Sequence, residues 1–116
     1  MATIVETKEN ESIMLLQTHY YKASYEQIKE IYKKIITELG HNILSENDDY
    51  SEIFSENVHL TCTAKIIQQT PKETSIDFYI SSEYLFGSSK KAYKFINTVY
   101  KKIESVYELK GLGLHQ

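Results

Sequence analysis

The feature that most constrains this chain is a period of two. Val58, Leu60, Cys62, Ala64 and Ile66 alternate with His59, Thr61, Thr63 and Lys65, and residues spaced in this way fall on opposite faces of a strand. One face is apolar and the other polar, as in an antiparallel sheet solvated on one side. Ile76, Phe78 and Ile80 repeat the pattern against Asp77, Tyr79 and Ser81. The intervening Pro71-Lys72-Glu73 predicts a hairpin. Both apolar faces must share a side, so opposed residues must have numbers of even sum. The expected register sets Ile66 against Phe78, Ala64 against Ile80 and Lys65 against Tyr79. It excludes a two-residue loop at Pro71-Lys72, which would bury Asp77.

Two amphipathic stretches flank this hairpin. Ser24 with Gln27 three positions on has capping-box spacing. Ile28, Ile31, Tyr32, Ile35, Ile36 and Leu39 then recur at helical spacing up to Gly40, which suits a left-handed exit. A second helix is expected from Ser88 or Ser89 to about Lys110. Ala92, Ile96, Val99, Ile103 and Val106 form its apolar face, and Tyr93, Tyr100 and Tyr107 run along one edge. Phe78 and Ile80 are expected to pack beneath it.

The remaining segments are shorter. Residues 13–21 read as a central strand, because their leading half is apolar on both faces. Thr3 to Glu6 reads as an edge strand. Residues 41–57 fit either two short strands about Asn47-Asp48-Asp49 or a helical turn through Tyr50, Ile53 and Phe54. Residues 1–12 and 112–116 read as poorly ordered or edge segments of a single domain spanning 1–116.

The fold class that follows is α+β: a two-layer sandwich in the order β-α-(β-β)-β-β-α, with two helices on one face of an antiparallel sheet. Over residues 13–110 this order is similar to one half of the TATA-box-binding fold, and to helix-grip proteins that close a long C-terminal helix over a curved sheet. The resemblance implies a fold only, since no family motif is present to carry a functional residue across.

Composition excludes several classes of partner. All 13 basic residues are lysine and the net charge is -3, whereas nucleic-acid readers rely on the bidentate arginine fork. No nucleic-acid partner is expected. The longest strictly apolar run is Ile13-Met14-Leu15-Leu16, far short of the ~20 residues of a membrane span, and no membrane partner is expected either. The first residues lack a basic, apolar signal pattern, so the expected location is cytoplasmic.

Chemistry-bearing residues are few. His19, His41, His59 and His115 form no HExxH or close ligand pair, and His41 after Gly40 reads as a helix-end histidine. Residues 46–56 hold five acids but lack the glycine that shapes a calcium loop. Cys62, the single cysteine, lies on the apolar face, where a thiol forms little thiolate. No catalytic, metal or cofactor site is expected, and the chain is read as a non-enzyme. Two surfaces stand out. His59, Thr61, Thr63, Lys65, Asp77 and Tyr79 share the outer sheet face, a candidate interface with a second copy or another protein. Tyr32, Tyr93, Tyr100 and Tyr107 border the helices above the small residues Cys62 and Ala64, which would leave a groove for an apolar ligand. The leading expectation is a small non-catalytic binding or self-association module, and the alternative is an apolar-ligand binder of helix-grip type.

Overall fold

A computed structural model describes residues 2–115 of the chain; Met1 and Gln116, the outermost positions of the two end segments, lie outside the described residues. Seven strands form one antiparallel sheet with two helices on a single face, an α+β fold in roughly the expected order. In chain order the elements are β1 (Thr3–Glu6), β2 (His19–Tyr21), α1 (Tyr25–Glu38), β3 (Asn42–Asn47), β4 (Glu52–Glu56), β5 (Leu60–Thr70), β6 (Glu73–Ser82), α2 (Ser88–Glu104) and β7 (Leu109–Leu112). Strands lie in the order β3-β4-β5-β6-β2-β7. β1 also pairs with β6, against residues 79–82, while β2 takes residues 74–76 of the same edge.

The first helix forms where its signals predict. The Gln27 amide donates to Ser24 Oγ, the Ser24 amide donates to Gln27 Oε1, and the box is closed. At the other end Gly40 takes φ +86°, and the amides of Gly40 and His41 donate to the carbonyls of Thr37 and Ile36, a Schellman exit. Ile28, Tyr32, Ile35 and Ile36 are buried.

Five sequence expectations are corrected. The strand expected from residue 13 begins only at His19; Met14–Leu16 is a 3-10 turn that buries Leu16 and leaves Ile13 and Met14 exposed. The second helix ends at Glu104, not near Lys110. Val106, assigned to its apolar face, is 56% exposed, and residues 109–112 instead pair with β2. Val58 is 91% exposed in the β4–β5 turn, where Asn57 Oδ1 accepts from the His59 and Leu60 amides. The hairpin register is offset by two: Ile66 faces Ile76, Ala64 faces Phe78, Cys62 faces Ile80 and Lys65 faces Asp77. The connection is the excluded two-residue loop, with Thr70 opposite Glu73, and a bulge between Gln68 and Thr70 restores the even sum.

Residues 42–56 adopt the two-strand alternative, with the Asp49 and Tyr50 amides donating to Asn47 Oδ1 in the turn between them. The core lies between the inner sheet face and the helices: Cys62, Ala64, Ile66, Ile76, Phe78 and Ile80 are buried beneath Tyr32, Phe95, Ile96, Val99 and Tyr100. No helix among the described residues is long and apolar enough to cross a membrane.

Candidate functional site

The two surfaces singled out from sequence have different fates. The groove expected above Cys62 and Ala64 is filled. Tyr32 and Tyr100 are at most 2% exposed, Cys62 and Ala64 are fully buried, and the Tyr32 hydroxyl sits 3.6 Å from Cys62 Sγ. The Tyr100 hydroxyl reaches the Ile76 carbonyl at 3.3 Å, and its ring meets Phe78 at 5.3 Å. Four of the six groove residues are therefore core. Tyr93 and Tyr107 are half-buried at its margin, and Tyr107 lies beyond the helix.

The outer face holds a cleft of about 440 Å³, lined among others by Glu6, Glu52, Thr63, Lys65, Asp77 and Tyr79. Strand pairing explains the gathering: Lys65 stands opposite Asp77, Thr63 opposite Tyr79, Glu52 opposite Lys65 and Glu6 opposite Tyr79. Four of the six residues expected at an interface are thus brought together. Thr61 lies one step further along β5, opposite Ser81. His59 is at the end of the sheet, its Nδ1 3.1 Å from the Glu83 carbonyl and its ring 4.6 Å from that of Tyr84.

Asp77 is the unusual member. Because β1 leaves β6 where β2 joins it, the two strands fork beside this residue. The Thr7 hydroxyl donates to Asp77 Oδ1 at 2.6 Å; the Thr18 hydroxyl lies 2.8 Å from Oδ1 and 2.9 Å from Oδ2. The Thr7 oxygen in turn accepts from the Phe78 amide at 2.8 Å. Both threonines are buried. Burial pushes the Asp77 carboxyl up to about 6, partly offset by the two hydroxyl donors. Its environment is that of a strut: the carboxylate joins β1 and β2 across the fork. Neither Thr7 nor Thr18 was identified from sequence, because each is remote in the chain from Asp77.

Burial also shifts Cys62, His19 and His41 away from their charged forms. Burial pushes the Cys62 thiol up to about 12. His19 lies on the inner face, its ring stacked on Tyr100 at 3.3 Å and its Nδ1 2.8 Å from the Gln17 carbonyl, and burial lowers it to about 4. His41 is 6% exposed, with its ring 4.8 Å from Phe95, and Nδ1 has no hydrogen-bond partner among the described residues. No group of three or more metal-ligating side chains occurs among the described residues.

The outer face is not uniform. Toward β2 it is covered: Tyr20 is 1% exposed, its hydroxyl bonds Glu9, and the His115 ring lies 5.1 Å from it. Around the cleft it is open, with Tyr79 47% and Ile4 50% exposed. No protein-family model, curated protein or solved structure matches the chain significantly.

Proposed function

We propose that this chain is a non-catalytic module that acts by association, pairing the open outer face of its sheet with the same face of a second copy. The observation that carries this reading is the composition of the cleft. Lys65 stands among Glu6 and Glu52 beside the exposed Tyr79 ring. A two-fold pairing presents each patch to itself, so the lysine of one copy meets a carboxylate of the other while the tyrosines supply the apolar contact. The absence of catalysis is supported by the state of the best nucleophile and bases: Cys62 is buried and protonated, His19 is stacked, and Asp77 is engaged by two hydroxyls. A lone buried thiol also suits a reducing compartment such as the cytoplasm.

Light scattering on a sizing column tests the proposal. The expected species has twice the 13.5 kDa chain mass, and Tyr79→Glu, which adds a fourth acid to each patch beside Glu6, Glu52 and Asp77, is expected to return it to monomer. A monomer at the highest attainable concentration would overturn the reading.

A further inference from the structure

The end of the molecule where β6 passes into α2 presents its apolar residues outward. Leu85 is 90% and Phe86 82% exposed, and Val58 in the neighbouring β4–β5 turn is 91% exposed. Soluble proteins rarely group large apolar side chains in this way without a use. The tip is also held in place. Ser88 Oγ accepts from the Tyr84 amide at 3.0 Å and reaches the Tyr84 carbonyl at 3.2 Å, closing the loop around Leu85 and Phe86. The Glu83 amide donates to the His59 carbonyl at 2.7 Å, and the His59 ring lies against Tyr84, joining the two turns. The loop's own bonds thus fix its base while its two apolar side chains remain in solvent.

Charge divides the two sides of this tip. On the helix side stand Lys90, Lys91 and Lys94, all exposed, with no acid in the first turn of α2 and with Lys91 Nζ 5.3 Å above the Tyr84 ring. The acids at this end, Glu56 and Glu83, border the outer-face side with Val58, Thr61 and Ser81. In a chain of net charge -3, this corner combines basic side chains with unpartnered apolar ones.

We infer that this tip is a peripheral membrane contact, in which Leu85 and Phe86 enter the interface of an anionic bilayer and Lys90, Lys91 and Lys94 lie against its headgroups. Stable peripheral attachment takes two weak signals together, one apolar and one basic. A protruding tip with lysines on one side supplies both, and a bilayer accepts it without a pocket of matching shape. Lys90, Lys91 and Lys94 on the helix side set the orientation in which the tip meets an anionic surface.

The experiment is co-sedimentation of the full chain with phosphatidylcholine vesicles, with and without phosphatidylserine. Binding is expected only with phosphatidylserine and should weaken as salt rises. Leu85→Ser with Phe86→Ser should reduce partitioning by about tenfold or more, the effect of withdrawing two large side chains from an apolar phase. Lys90→Gln with Lys94→Gln should remove most of the salt dependence. Because the chain contains no tryptophan, Phe86→Trp provides a single reporter whose emission should shift to the blue on phosphatidylserine vesicles. All these positions are exposed, and circular dichroism checks that each variant is folded. Failure to sediment with phosphatidylserine, or sedimentation unchanged by the double serine variant, would overturn the inference. So would a serine variant that loses self-association in the absence of vesicles, because the tip would then be covered by a second copy.

Discussion

Asp77 and His19 titrate in opposing directions over nearly the same range of pH. The folded-state value of Asp77 is about 6 against an ordinary 3.8, so the folded protein holds this proton more tightly than the unfolded chain. Its stabilising contribution is complete below about 4 and is lost as pH rises through about 6. His19, lowered from 6.5 to about 4, behaves conversely: its contribution is present above 6.5 and is lost as pH falls through about 4. The two partly cancel in the intact protein. Asp77→Asn removes one of them, and the variant's stability is expected to fall more steeply on acidification from pH 6 to 4 than that of the parent. Urea denaturation across that range measures it. Parallel curves would mean that the Asp77 carboxylate is solvated and not held in the fork.

At the scale of elements, the β5–β6 turn shows what a parity argument can and cannot decide. Parity is obeyed in the body of the hairpin, yet a two-residue loop is used, because the bulge absorbs the odd residue. Pro71 is responsible. Its ring holds φ near −65°, which excludes the primed turns whose twist suits a two-residue loop, and the bulge supplies the missing twist. Deleting Gln69 alone should therefore strain the hairpin. Combined with Asn-Gly in place of Pro71-Lys72, the deletion should recover at least about 1 kcal/mol of the loss, within the range of a turn-level effect on stability. Thermal or urea denaturation of the two variants checks this.

Local signals in the sequence were reliable for the same physical reason: α1 was legible because cap, stripe and exit all lie within its own residues. The grouping of Thr63, Lys65, Asp77 and Tyr79 was legible because alternation alone assigns the face. The end of α2 was not, since Leu109 leaves the helical pattern to pair with Tyr21, far away in the chain. Thr7 and Thr18 were equally hidden, standing 70 and 59 positions from the carboxylate they hold. Leu85-Phe86 carries no sequence signal, because two apolar residues in a loop resemble neither a stripe nor a span.

For the whole molecule, the proposed self-association face and the proposed membrane tip are separate surfaces, one around the Lys65–Asp77 pair and the other at the start of α2. Their functions should therefore separate: Tyr79→Glu is expected to abolish the dimer yet leave each chain able to sediment with phosphatidylserine vesicles, more weakly because two linked tips hold better than one. Light scattering and sedimentation on the same sample read both. Loss of both properties together would show that they share a surface. The fork on β6 has a consequence of another kind, for biosynthesis. β1 pairs with residues 79–82, and β2 acquires its second neighbour only from residues 109–112. Chains emerge from the ribosome N-terminus first, so the earliest strands wait longest for their partners. Until residues 74–76 are made, Tyr20 and Tyr21 have no strand to pair with, so the folding of β2 is deferred until most of the sheet has been synthesised.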